Sequence, residues 1–200
     1  EPLPHFVIPR LGSETSYYAL SVIRQLKNLG VYVCNDADAI SAVKDKLFMY
    51  QLLAGSKLSS PKTMLAKFPI SVSIVRREIG FPLVIKNVTG TRGSGIYLCD
   101  SEDKFVDVME LVYTNNSQAN IILQEFIQHS YGRDLRVFVI GGRAVACMER
   151  TAEKGFKANF SKGAQVKTFQ LTPEIEWLST ETAKLFNLDV AGIDLLFDDD

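Results

Sequence analysis

Cysteine is scarce, with 3 residues in a chain of 200. Cys34, Cys99 and Cys147 are odd in number, far apart and each set in an apolar stretch. That pattern excludes a disulfide framework or a zinc site and points to reduced core thiols in a cytoplasmic compartment. No excess of charge exists either: Lys+Arg 22 against Asp+Glu 23 gives a net charge of -1. A global electrostatic attraction to nucleic acid or to an anionic membrane is therefore excluded. No apolar run reaches the roughly 18 residues of a bilayer span. The opening Glu1-Pro2-Leu3-Pro4-His5 lacks the basic, then apolar, pattern of a signal peptide. Internal repeats and low-complexity tracts are absent too.

What is present is ordinary globular composition, 46% hydrophobic and 22% charged. This excludes wholesale disorder and suits one large domain or two small ones with a proper core. The Pro-rich start reads as unstructured. Asp198-Asp199-Asp200, directly after a strong strand, reads as the tip of a hairpin whose returning strand is absent, so the chain is expected to be a fragment.

Helical spacing of Ala19, Val22, Ile23, Leu26 and Leu29 predicts a helix capped by Ser16 and stopped at Gly30. Val31 to Cys34 reads as a strand, about Ser41 to Gly55 as a second helix, Pro61-Lys62-Thr63 as an extended connector, and Ser71 to Ile79 as a short helix. Strands are expected over Phe81–Lys86, Ile96–Cys99, Asn120–Ile127 and Val190–Phe197, with a helix over Lys104–Tyr113. Leu135–Ile140 and Ala144–Met148 flank Gly141-Gly142, a two-residue hairpin signal. Thr172-Pro173-Glu174 starts a helix, with Thr as cap and Pro at the first position. Hairpin-joined strands interleaved with helices imply an α+β fold rather than a doubly wound parallel sheet.

Four segments carry chemistry. Thr89-Gly90-Thr91-Arg92-Gly93-Ser94-Gly95 is a turn between two strands whose backbone N–H groups suit an anion. It lacks the Gly-Lys-Ser/Thr of a Walker loop, and Gly-rich hairpin loops are more often structural. Lys86, at the strand end just before it, offers phosphate neutralisation or simply snorkels into water. Gln124-Glu125-Phe126-Ile127 closes an apolar strand and can read an adenine edge, although an ordinary strand end is the commoner meaning. In Arg133-Asp134-Leu135-Arg136, strand alternation puts Asp134 and Arg136 on one face. They suit a ribose hydroxyl and a carboxylate or phosphate, and equally a cross-strand ion pair with Glu149 or Arg150. Asp194, inside apolar Ala191–Leu196, is costly unless paired or bound to a cation such as Mg²⁺.

Taken in order, Asp45-Lys46-Leu47, Pro82–Lys86, the Gly-rich loop, Gln124–Ile127, Asp134-Leu135-Arg136, Glu149-Arg150, Phe156-Lys157-Ala158-Asn159 and Ala191-Gly192-Ile193-Asp194 resemble the ATP-grasp superfamily. Within it the chain is similar to the RimK-type glutamate ligases, and the likeness covers nearly the whole chain. It implies an ATP-grasp fold of two α+β subdomains gripping nucleotide. Residues 1–40 would end an amino-terminal pre-ATP-grasp domain, and 41–200 would form an ATP-grasp domain incomplete at its carboxyl end. Lys46 and Lys86 would contact nucleotide phosphates, with Gly90, Thr91, Arg92, Gly93, Ser94 and Gly95 as a lid, poorly ordered at 90–94 without ligand. Gln124, Glu125, Phe126 and Ile127 would hold adenine, Asp134 the ribose, and Lys157 and Asn159 the phosphates and acceptor. Asp194 would bind metal, and Arg136 and Arg150 would orient the acyl-phosphate or an acidic substrate. Lys157 stands where the family has Arg, and the family's further Glu-x-Asn metal ligands lie beyond this chain.

The implied activity is ATP-dependent carboxylate–amine ligation through an acylphosphate, with ATP and Mg²⁺ (or Mn²⁺) as cofactors. Its partners would be the nucleotide, an amino acid such as glutamate, and a carboxylate acceptor on a protein, peptide or metabolite, with no nucleic acid and no membrane. A homo-oligomer is left open. Rival readings are another ATP-grasp ligase with a different acceptor and a non-catalytic nucleotide-binding regulatory or scaffold domain.

Overall fold

The computed structural model describes residues 2–11, 17–87, 95–157 and 163–198, and among them three sheets and six α-helices give an α+β architecture. The amino-terminal part is a small βαβ unit. β1 (Phe6–Val7) and β2 (Tyr32–Val33) pair in parallel around α1 (Tyr17–Asn28). The Pro-rich start, expected to be unstructured, thus supplies a short strand, and Cys34 N donates to Val7 O at 2.9 Å beside it. A strand of two residues is too short for any periodicity to announce. Gly30 follows α1 with φ 83°, whereas Ser16, its expected cap, lies outside the described residues.

The stretch expected to form one helix forms two, α2 (Ala37–Lys44) and α3 (Lys46–Ala54). Asp45 separates them with φ -83° and ψ 101°, and its carboxylate accepts from Phe48 N at 3.0 Å. A short acidic side chain that can satisfy the orphan N–H groups of a new helix competes with continuation of the old one. Asp36 does the same for α2, accepting from Ala39 N at 2.8 Å.

The second sheet is antiparallel, in the order β3 (Thr63–Ala66), β6 (Ile121–Glu125), β4 (Leu83–Asn87), β5 (Ile96–Cys99). The segment expected as a connector therefore opens into edge strand β3. α4 (Val72–Glu78) and α5 (Glu102–Asn115) cover one face, where Val75, Phe105 and Met109 pack on Leu83, Ile85, Ile121 and Leu123. These side chains are nearly or fully removed from water, and each contributes about 1.5–3 kcal/mol by burial. Alternation sends Thr63, Lys86, Ile122 and Gln124 to the opposite face. β6 stops at Glu125 rather than Ile127, because the chain turns into a short 3-10 segment, Gln128–Ser130.

The third sheet runs β10 (Val190–Leu195), β7 (Arg133–Ile140), β8 (Arg143–Thr151), β9 (Gln165–Thr168), all antiparallel. Gly141 and Gly142 make the β7–β8 turn at φ 55° and 74°, as the pair predicts. β9 is exposed at every position, so it carries no apolar alternation to read. β10 ends two residues before the expected Phe197. α6 (Pro173–Leu185) has Thr172 as cap, accepting from Ile175 N at 3.2 Å, and packs Ala183 on the core with Leu135, Val137 and Val139.

Asn35, just after β2, ties the amino-terminal unit to this sheet. Its Oδ1 accepts from the N–H groups of Asp189 and Val190 at 2.7 and 2.9 Å, and its Nδ2 donates to Val190 O at 2.7 Å. No helix among the described residues is long and apolar enough to cross a membrane.

Candidate functional site

Two groups of candidate residues come together, one on each of the larger sheets. The first lies on the face of the second sheet turned away from α4 and α5. Lys86 Nζ donates to Gln124 Oε1 at 2.5 Å and to the Tyr50 hydroxyl at 3.2 Å, and stands 5.5 Å from the Tyr50 ring centre. Gln124 is 4% exposed, and its Nε2 donates to Thr63 Oγ1 at 2.8 Å. Burial lowers the Lys46 ammonium's pKa, and the nearby positive charge of Lys86 lowers it further. Lys46 occupies the first turn of α3, where the helix dipole also disfavours a cation and favours an anion. Two lysines far apart in sequence thus reach one electrostatic neighbourhood that an anionic ligand would relieve.

Glu125 spends one carboxylate oxygen on Lys62 N at 2.6 Å and so helps pin the entry to β3. Phe126 sits edge-on to Tyr131 and Phe156, with ring centres 6.1 and 6.3 Å away. Ile127 leads into the 3-10 segment. Lys157 lies near the rings of Phe156 and Tyr97, at 5.4 and 5.8 Å. Gly95 has φ 70° immediately before β5. Gly90, Thr91, Arg92, Gly93, Ser94 and Asn159, together with the expectation of poor order at 90–94, fall outside the described residues.

The second group is a charge tetrad on one face of β10, β7 and β8. Asp134 and Arg150 are register partners, as are Arg136 and Asp194. Arg150 grips Asp134 with two bonds of 2.7 Å, and Arg136 grips Asp194 likewise. Arg150 also reaches Asp194 Oδ1 at 3.1 Å, which joins the two pairs. The cross-strand ion-pair alternative for Asp134 is thus realised. Arg133 adds a longer contact to Glu149 at 3.7 Å.

Burial raises the Asp134 carboxyl above its usual range, against the pull of Arg150. Burial also works to lower the Arg150 pKa, and the Asp134 and Asp194 carboxylates more than offset it. Asp194 differs from expectation: its side chain is 45% exposed rather than buried, because Ala191, Ile193 and Leu195 take the core face of β10. Among the described residues no group of three or more metal-ligating side chains converges. Asp194 nevertheless keeps acceptor capacity on Oδ2, which accepts one guanidinium bond where Oδ1 accepts two.

Tyr50 and Thr63 were not expected here. Tyr50 is four residues, about one helical turn, after Lys46, so helical geometry offers a retrospective signal for it. Thr63 becomes legible only once its pairing with Gln124 is known. Cavities of about 570, 520 and 270 Å³ are present, the first beside Phe68 and Met109 and the second beside Tyr97, Phe156 and Lys157, and none of these three is lined by Lys46, Lys86 or Asp194.

Residues 43–200 match the RimK-like ATP-grasp domain, and residues 2–40 match the RimK PreATP-grasp domain. The chain belongs to the RimK-like ATP-grasp family. A probable alpha-L-glutamate ligase of Legionella pneumophila is 39% identical over 199 residues, covering 98% of this chain. The chain spans 65% of that relative's length. The RimK domain ATP-grasp protein of Sphaerobacter thermophilus superposes with a TM-score of 0.74 at 17% identity, covering 98% of this chain and 69% of its own. The ATP-grasp ligase PsnB, complexed with minimal precursor, Mg and ADP, gives a TM-score of 0.69 at 21% identity, covering 91% of this chain and 54% of its own. The RimK-like ATP-grasp fold is therefore the setting for both residue groups.

Proposed function

We propose that the full-length protein is an ATP-dependent carboxylate–amine ligase that joins glutamate to a carboxylate on a protein, peptide or small molecule. The observation that carries this reading is the hold of Gln124 and of Tyr50, from α3, on the ammonium of Lys86, within electrostatic reach of Lys46 on the same helix. Residues 1–40 belong in this reading to the amino-terminal domain and 41–200 to the nucleotide-gripping one. The names of the glutamate-ligase relatives and the Mg and ADP bound to PsnB support it.

A carboxylate oxygen of the acceptor attacks the γ-phosphorus of ATP, the bond to the ADP oxygen breaks, and an acylphosphate forms. The amine of glutamate then attacks the acyl carbon, the C–N bond forms, phosphate leaves and the amine loses a proton. Lys46 and Lys86 offset phosphate charge, while Gln124, Glu125, Phe126 and Ile127 border the base and Asp134 the ribose side. Positioning and electrostatics supply most of the rate in such transfers. Asp194, half-exposed and with acceptor capacity left, suits a hard divalent cation such as Mg²⁺ or Mn²⁺, which takes one or two carboxylates along with substrate phosphates and neutralises their charge. Arg136, 37% exposed, is placed to orient the acyl-phosphate or an acidic substrate; buried Arg150 braces Asp134 and Asp194 behind it. The three free thiols fit a cytoplasmic setting.

The test is calorimetric titration of the full-length protein with Mg-ADP and a non-hydrolysable ATP analogue. The expected result is saturable binding that Lys86→Ala weakens about tenfold, roughly 1.4 kcal/mol. Glutamate-dependent ADP release completes the case. Binding without turnover on any carboxylate acceptor favours the scaffold reading, and absence of binding retires the nucleotide reading altogether.

A further inference from the structure

We propose that Tyr50 is a positioning residue of the nucleotide site, holding the Lys86 ammonium in place for phosphate; this rests on the reading of Lys86 as a phosphate ligand. A lysine on a strand carries a long flexible stem, and its charge is useful only if the ammonium is fixed before the ligand arrives. Two acceptors fix it here. Gln124 Oε1, at 2.5 Å, belongs to an amide that cannot swing away: its own Nε2 donates to Thr63 Oγ1 at 2.8 Å, and Thr63 Oγ1 in turn donates to Pro61 O at 2.8 Å. The Tyr50 hydroxyl is the second acceptor, 3.2 Å from Nζ, and it lies 3.4 Å from Gln124 Oε1.

An ammonium has three N–H groups, and these bonds engage two of them, which leaves a donor for an anionic ligand. The Tyr50 ring, 5.5 Å from Nζ, adds a cation–π attraction from the α3 side. Tyr50 also connects the two lysines. It follows Lys46 by about one turn of α3, so the two side chains leave the same side of that helix. The phenol thus meets the strand-borne cation from the helix that also bears Lys46. Nothing in the apolar pattern of α3 requires a tyrosine at this position.

Tyr50→Phe isolates the hydroxyl, because the ring and its cation–π face remain. In the full-length protein, the expected result is a three- to tenfold loss of Mg-ADP affinity with an unchanged Tm. Adenosine, which has no phosphate, should bind equally to both forms. In a double-mutant cycle, Tyr50→Phe should have no further effect once Lys86→Ala is present. A 3-fluorotyrosine label at position 50 should give a ¹⁹F resonance that Mg-ADP moves in the wild type and leaves in place in Lys86→Ala. Wild-type Mg-ADP affinity in Tyr50→Phe, with Lys86→Ala still damaging, overturns the role of Tyr50 and spares the nucleotide site. An equal loss in both backgrounds, or a parallel loss for adenosine, marks Tyr50 as merely structural and also overturns the proposal. Indifference of Mg-ADP binding to Lys86→Ala overturns the reading of Lys86, and the inference drawn from it.

Discussion

Arg136 and Asp194 face each other across β7 and β10 as register partners and are joined by two hydrogen bonds of 2.7 Å. The pair lies on the open face of the sheet, so its contribution to stability is small, on the order of 0–1 kcal/mol. Its interest is chemical, because the proposed metal-binding carboxylate already carries two guanidinium contacts. Asp194→Asn should leave Tm within a few degrees of wild type. It should abolish the Mg²⁺-dependent part of ADP binding, measured by titration with and without the cation.

Arg150 and Asp134 form the more enclosed pair, with side chains 6% and 16% exposed. Removing one partner of a buried pair strands the other, typically at about 3–5 kcal/mol. Arg150→Ala is expected near the low end, about 3 kcal/mol at pH 7, since Asp134 retains some contact with water. Burial already holds the folded Asp134 pKa above its unfolded value, and loss of Arg150 raises it further. The stranded charge is therefore present above that pKa and neutralised below it. Urea denaturation should show the deficit of Arg150→Ala shrinking as pH falls from 7 towards the carboxylate range.

Asn35 is the fastener between the amino-terminal unit and β10. Asn35→Ala leaves the N–H groups of Asp189 and Val190 without this acceptor, and a cost of about 1–3 kcal/mol is expected. Hydrogen exchange should quicken at Asp189 and Val190 before it does in β7 or β8. Uniform exchange across the sheet would show that the contact is incidental.

Asp36 caps α2 and meets Lys27 at 2.5 Å. Burial alone would raise its pKa, but the Ala39 N–H and the Lys27 ammonium outweigh burial, and the net shift is downward. A depressed folded pKa means that the ionised group stabilises the fold above its unfolded pKa, and that this is lost as pH falls through the folded value. Asp36→Ala should cost about 1 kcal/mol at pH 7, as cap losses do. The difference from wild type should fade in denaturation curves taken as pH falls below the ordinary carboxylate range.

Much of this was legible one residue at a time. Thr172 followed by Pro173 marks the start of α6 because a hydroxyl cap and a residue without N–H both suit orphaned helix ends. Gly141-Gly142 marks the β7–β8 turn because both positions need positive φ. Asp45 hides its break: its apolar neighbours keep helical spacing across it, and only the capping bond from Phe48 N shows that α3 starts anew. β9 leaves no periodic signal in the sequence because all four of its residues are exposed.

The candidate site divides along the same line. Lys86, Asp134, Arg136 and Asp194 are identifiable from local chemistry, as a cation before a turn and charges in otherwise apolar strands, whereas Lys46 and Arg150 enter the site through the family resemblance. Their partners are not, because register and packing set them. A one-residue slip of β7 against β8 would separate Asp134 from Arg150 and turn one of them to the other face. Tyr50 meets Lys86 only because the fold brings this one side chain of α3 to β4 across a separation of 36 residues. Residue types and short spacings were written in the chain from the start; which charges meet, and which of them remain open to a ligand, was settled by strand pairing, since hydrogen bonds and ion pairs act over a few ångströms that only the fold can close.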